Sequence, residues 1–330
     1  MADNRFLNFF DFSIRSKPVQ ELKDKYCNAD SKFMDIDGLN VHYKDQGSGP
    51  VLLLMHGVVS SLFTWDGWYD ELKDNFRIIR LDLPGFGITG PKKNEDYLAP
   101  ATNIFLDKFL NKLNVEHCFV AGNSLGGFYG WNYTIHNPKR VDKLIILDTI
   151  AYNQSLPYIF ILGNLPGAKF LIKHLVFPRF FIEDSLRRLY SDKSKITKLV
   201  ADRYWELALR EGNRGAIMQA FENIYKLSKS NTIAGEVKKI NRPVLMVWGK
   251  QDVWSRYKET LKFWQADLPK AELILYDNAG HIPMEEIPEL TAFDAFKFMA
   301  KPIEDRPQLE KFNLQEKFKK YEANYFAKNK

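Results

Sequence analysis

Cysteine is nearly absent from this chain: Cys27 and Cys118 are the two among 330 residues. Two thiols cannot build a disulfide framework, and no C-x-x-C pair or Cys/His cluster offers a metal site. Long apolar runs are missing too. No window reaches the roughly eighteen uninterrupted apolar residues that a transmembrane helix needs. There is no block of like charge either. Lysine and arginine number 47 against 41 acidic residues, and an excess of +6 spread along the whole chain makes no nucleic-acid-binding arm. No internal repeat is found. What is present, 45% hydrophobic and 27% charged residues, is the profile of a globular protein with a large core.

Two segments come nearest to a membrane signal. Phe6, Leu7, Phe9, Phe10, Phe12 and Ile14 form an aromatic stretch broken by Asn8, Asp11 and Arg15. It lacks the apolar core and cleavage site of a signal peptide. It reads as an amphipathic helix lying on the core, with peripheral membrane contact as the alternative. Pro157 to Phe177 is apolar but interrupted by Asn164, Pro166, Lys169, Lys173 and His174, and reads as part of a lid. Two cysteines and no evident leader point to the cytoplasm.

From Lys32 the pattern turns strand-like. Phe33, Ile36, Leu39, Val41 and Tyr43, punctuated by Asp37-Gly38, spell a hairpin. Short apolar runs follow at Val51–Met55, Arg77–Leu83, Cys118–Ala121, Lys143–Leu147, Val244–Trp248 and Leu273–Tyr276. Near-continuous hydrophobicity suits parallel strands covered on both faces. Helix-period stretches alternate with them at Leu62–Lys73, Tyr97–Leu113, Ser124–His136, Tyr257–Ala266 and Glu285–Met299. The alternation predicts an α/β fold around a mostly parallel, eight-stranded sheet. Between Tyr152 and Lys238 the rhythm breaks into helices alone. The expected organisation is a helical extension at 1–31, a core at 32–150 and 240–300, a helical cap at 151–239, and a charged C-terminal helix at 301–330.

Gly122-Asn123-Ser124-Leu125-Gly126-Gly127 follows a strand and opens a helix. This is a G-x-S-x-G nucleophile elbow in its required strand–turn–helix setting. A serine hydroxyl needs a base, and the base needs an orienting acid. His281 stands directly after the last strand, where a loop reaches back over the sheet edge. His42, His117, His136 and His174 have no such placement and read as structural or solvated. Asp252, at the end of the Val244–Trp248 strand, is the expected acid, with helix capping as its plainer role. Asp148 is the runner-up. Backbone N–H groups of Val58, after His56-Gly57, and of Leu125 are the expected oxyanion donors. His56 is expected to brace that loop.

These landmarks, with Trp65, Asp82-Leu83-Pro84-Gly85-Phe86-Gly87, Asp252 and His281, resemble the α/β-hydrolase superfamily over about Lys32 to Ala300. The runs Trp65-Asp66-Gly67-Trp68 and Arg80 to Gly87 are similar to a group of bacterial esterases and lipases. The resemblance implies a serine hydrolase of small carboxylic esters that needs no metal or cofactor and no nucleic acid. Epoxide hydrolases and haloalkane dehalogenases share the layout but use aspartate where Ser124 stands. Carbon–carbon bond hydrolases of ring-cleavage products, perhydrolase or haloperoxidase chemistry, and a low-turnover ligand-binding relative are the alternatives. Phe160, Leu165, Phe180, Phe181 and Trp205 are expected either to line an acyl pocket or to fill the cap's own core.

Overall fold

The computed structural model describes residues 16–163, 165, 167–174, 178–230 and 233–329. The aromatic stretch Phe6–Ile14 therefore lies outside the described residues. Eight strands form one sheet: β1 (Lys32–Ile36), β2 (Leu39–Gly47), β3 (Val51–Met55), β4 (Arg77–Leu81), β5 (Cys118–Asn123), β6 (Val141–Leu147), β7 (Val244–Gly249) and β8 (Glu272–Tyr276). Their order is β1-β2-β4-β3-β5-β6-β7-β8, and β3 to β8 pair in parallel while β2 runs antiparallel to both neighbours. β5, β6 and β7 are buried at every residue, which is why they are mostly apolar instead of alternating, β6 departing at Asp142 and Lys143.

A short helix, α1 (Val19–Tyr26), precedes the sheet. Three helices lie between the strands of the first half of the chain: α2 (Asp66–Leu72), α3 (Ala99–Lys112) and α4 (Leu125–His136). Between β6 and β7 the described residues contain only helices. These are α5 (Tyr158–Gly163), α6 (Ala168–His174), α7 (Arg179–Leu189), α8 (Lys198–Ala208), α9 (Asn213–Lys229) and α10 (Ala234–Val237). α11 (Tyr257–Asp267) joins β7 to β8, followed by α12 (Pro283–Glu286), α13 (Pro288–Met299) and α14 (Leu314–Lys328). α3 and α4 pack together on the sheet, and α2 packs on α13.

Two helices differ from the sequence expectation. The stretch Leu62–Lys73 is a 3₁₀ turn at Leu62–Trp65 running into α2. The stretch Glu285–Met299 is broken at Ile287, whose φ of −133° and ψ of 58° are non-helical. Pro288 is the cause, since the proline ring crowds the helical conformation of the preceding residue. The break leaves α12 as a separate turn directly behind His281.

The segment before the sheet docks on the inserted helices. Lys17 N donates to Leu209 O at 2.8 Å and Glu211 N donates to Lys17 O at 3.1 Å. Tyr26 Oη donates to the Glu206 carboxylate of α8 at 2.6 Å.

Candidate active site

Ser124 occupies the turn between β5 and α4 with φ 53° and ψ −116°. A non-glycine residue in that region costs on the order of 1–3 kcal/mol, so its surroundings must hold it there. Ser124 N donates to Leu147 O at 2.9 Å, and Thr149 Oγ1 donates to Ser124 O at 2.9 Å. The flanking glycines are demanded by close approach. A Cβ on Gly122 would collide with the Gly126 carbonyl, and one on Gly126 with the carbonyls of Met55 and His56.

His281 follows β8 and is bonded through Nδ1 to Asp252 Oδ2 at 2.8 Å, both groups being buried. Asp252 Oδ1 also accepts the backbone N–H groups of Trp254 at 2.6 Å and Ser255 at 3.1 Å. The turn-capping role and the imidazole-holding role therefore belong to one carboxylate. Asp148 sits behind this pair at the end of β6, with a φ of 46°. Its Oδ1 accepts Gly249 N–H at 3.0 Å, and it makes no hydrogen bond to His281. Burial, reinforced by the nearby Asp252 charge, pushes its carboxyl well above the usual carboxylate range. Asp148, Asp252 and His281 have ligand atoms within 4.8 Å of one another. Because His281 Nδ1 is already engaged by Asp252, the cluster is a poor cation site.

The His281 loop is gripped from three sides. Its N–H donates to Leu189 O, at the end of α7, at 2.7 Å. Its carbonyl accepts from Asn123 Nδ2 at 2.8 Å. Glu286 Oε2 accepts Gly280 N–H at 2.7 Å while Oε1 accepts Asp192 N–H at 2.6 Å, tying the loop to the inserted helices. Asn123 is the x of the serine motif and Glu286 lies on α12. Neither was picked out from sequence, because their roles depend on contacts to backbone distant in the chain.

His56 is fully buried. Nε2 accepts Leu83 N–H at 2.9 Å and Nδ1 donates to Gly57 O at 2.7 Å, which fixes a neutral tautomer. Burial also lowers its pKa. It braces the loop carrying Val58 and faces no other role. Val58 N–H donates to no described residue. Leu125 N–H belongs to the first turn of α4, where amides have no intrahelical acceptor. Val59, at φ 60°, is a β-branched residue in a conformation such residues avoid.

Ser124, His281, Val58 and Val59 line one cavity of about 580 Å³. Its other walls include Ile159, Ile182, Leu186, Tyr204, Phe221 and Trp254. Among the described residues, no Asp, Glu, Lys or Arg lines it. The aromatic residues expected from sequence as an acyl pocket do not. Phe160 and Trp205 are buried in packing, and Leu165 is exposed at 50%. On a helix, neighbouring residues point about 100° apart, so Ile159, Ile182 and Tyr204 face the cavity while Phe160, Phe181 and Trp205 turn away.

A family model described as the α/β-hydrolase fold matches residues 50–288. The chain belongs to the α/β-hydrolase family. This hydrolase is 28% identical over 259 residues to the uncharacterized hydrolase YugF of Bacillus subtilis, covering 77% of this chain and 92% of that one. It is 25% identical over 265 residues to a 2-hydroxy-6-oxononadienedioate/2-hydroxy-6-oxononatrienedioate hydrolase of Comamonas testosteroni, covering 76% and 90%. Among solved structures, a bacterial membrane phospholipase A is similar at a TM-score of 0.66 and 24% identity, covering 82% of this chain and 85% of that one. No helix among the hydrolase's described residues is long and apolar enough to cross a membrane.

Proposed function

We propose that the chain hydrolyses carboxylic esters through an acyl-enzyme on Ser124. The observation that carries this is the Asp252–His281 pair opening onto the same cavity as the strained serine. His281 Nε2 takes the Ser124 proton as Oγ attacks the ester carbonyl. Asp252 holds Nδ1–H and so sets the tautomer that leaves Nε2 free. The N–H groups of Val58 and Leu125 stabilise the tetrahedral oxyanion, each such donor contributing about 2.7–4 kcal/mol to the transition state. His281 then protonates the departing alcohol. A water deprotonated by His281 releases the acid and restores Ser124.

The uncharged lining favours neutral esters with short or medium acyl chains. It also weighs against the carbon–carbon hydrolase reading that the Comamonas relative raises. A dicarboxylate entering a cavity whose described lining holds no Lys or Arg would lose hydration without a counter-charge. In this reading 32–150 and 240–300 form the catalytic core and 151–239 a lid. Tyr158, Ile161, Phe170 and Leu171 on α5 and α6 are exposed while Ile159 of α5 faces the cavity. That arrangement supports uptake of substrate at a lipid surface. The free thiols Cys27 and Cys118 fit a reducing compartment.

The test is a p-nitrophenyl ester series, with and without emulsified triglyceride, on wild type and Ser124→Ala. Turnover is expected to fall by about 10⁴–10⁶ in the variant, with loss of labelling by a fluorophosphonate. A variant retaining a tenth of the activity would remove Ser124 from the mechanism. Preference for a dienoate over every ester would favour the carbon–carbon reading.

A further inference from the structure

Away from the Ser124 cavity, a second group of nucleophile, base and acid lies where the chain enters the sheet. Cys27 follows α1 and is half-buried. Its Sγ is 3.8 Å from His42 Nε2 on β2. The other ring nitrogen, Nδ1, is 2.7 Å from Asp82 Oδ2, and both His42 and Asp82 are fully buried. Asp82 is itself fixed by the backbone N–H groups of Leu62 and Ile88, each at 2.8 Å. Burial opposes the charged imidazole, but the Asp82 carboxylate outweighs it and raises His42 to about 9. With Nδ1 held by Asp82, Nε2 is the ring nitrogen turned towards sulfur.

Lys44, two residues along β2, supplies an independent observation. It is 5% exposed, and its ammonium makes no hydrogen bond among the described residues, lying 5.3 Å from the Phe63 ring centre. Cys27 is among the groups whose charge acts on it, with Asp66 and Asp30, while Arg80 repels it. Lys23, over the Phe33 ring that stacks on His42, adds a further cation at the rim. Lys44 therefore adds a cation without a hydrogen-bonded carboxylate among the described residues to the surroundings of Cys27.

We propose that Cys27, flanked by His42 and Lys44, is a reactive thiol that captures small anionic disulfides. The cations stabilise the anionic sulfur and attract the ligand. The thiolate attacks one sulfur of RS–SR, the new S–S bond forms as the old one breaks, and RS⁻ leaves. Cys27 is oxidised to a mixed disulfide, and the departing half is reduced to a thiol protonated from solvent. Ser31 Oγ, 3.1 Å from His42 Nε2, competes with sulfur for the same proton. Cys118 is not a rival, since it is buried and burial pushes its thiol up.

The probe is 5,5′-dithiobis(2-nitrobenzoate), a disulfide carrying two carboxylates, applied to the full chain across about pH 6–9. One thiol per native chain is expected to react, and Cys27→Ser to abolish the reaction. At about pH 6 the rate should exceed that of N-acetylcysteine by about tenfold or more, because a solvated thiol is almost wholly protonated there. His42→Gln and Lys44→Met should each slow it, and Ser31→Ala should leave it as fast or faster. A Cys27 rate at or below that of N-acetylcysteine overturns the proposal. So does an unchanged rate in Lys44→Met, which decides the matter alone if His42→Gln fails to fold by circular dichroism.

Discussion

At the scale of single residues, two aspartates behind His281 have opposite characters because of what surrounds them. Asp252 accepts two backbone N–H groups and bonds the imidazole, whereas Asp148 accepts one amide and has its carboxyl pushed well above the usual range. Asp252→Asn is expected to lower kcat by about 10⁴, the loss known for the wrong imidazole tautomer in a serine protease. Asp148→Asn keeps an acceptor and should cost less than about tenfold. Steady-state kinetics on both variants check the order, and the reverse order would make Asp148 the acid. The spelling of the chain made Asp252 readable through its place after β7, but not that the same oxygens cap residues 254–255. It also showed the His56-Gly57-Val58-Val59 loop without hinting at the positive φ of Val59, since nothing in a valine announces that its backbone is strained. His42 is similar: its strand position was plain, its buried carboxylate was not. With a pKa raised from 6.5 to about 9 in the folded chain, the His42–Asp82 pair stabilises fully below about pH 6.5 and fades as pH climbs through 9. The stability gap between wild type and His42→Gln, on the order of 3 kcal/mol at pH 6, should narrow over that window in urea titrations.

At the scale of elements, the strands were the legible part. A parallel strand buried on both faces is mostly apolar, so β3, β5, β7 and the Leu144–Leu147 part of β6 are written almost residue for residue. The inserted helices were readable as helices but not in rotation. Their aromatic residues are the most conspicuous and mostly serve packing, as with Phe160, whose ring lies 4.6 Å from Phe221 and 5.5 Å from Trp254. The less conspicuous neighbours, Ile159 and Ser185, face the cavity and should govern chain length. Ile159→Ala is expected to move the preferred p-nitrophenyl ester to a longer acyl chain. Ser185→Leu should move it to a shorter one, with kcat/KM for the longest accepted ester falling about tenfold or more. A preference that stays put in both variants would place the acyl group elsewhere.

At the scale of the whole molecule, α14 closes one side of the core. Phe318, Tyr321 and Tyr325 pack on Phe293 and Phe296 of α13, and Phe296 in turn meets Phe76 at 4.9 Å. Removing residues 313–330 should lower Tm by roughly 5 °C or more by uncovering those rings, while kcat is unchanged. An altered kcat would mean that α14 reaches the active site through α13. The sequence announces a charged C-terminal helix, but not which face of the molecule it covers. A different long-range link concerns the bond from His281 N–H to Leu189 O. In the proposed mechanism the imidazole takes part of its backbone support from α7, an element that also lines the cavity. Were α7 to lift far enough to break the bond, the imidazole would loosen, and admission of substrate and readiness to react would become successive states of one cycle. A guest too bulky to let that helix settle would then be rejected even after it has entered.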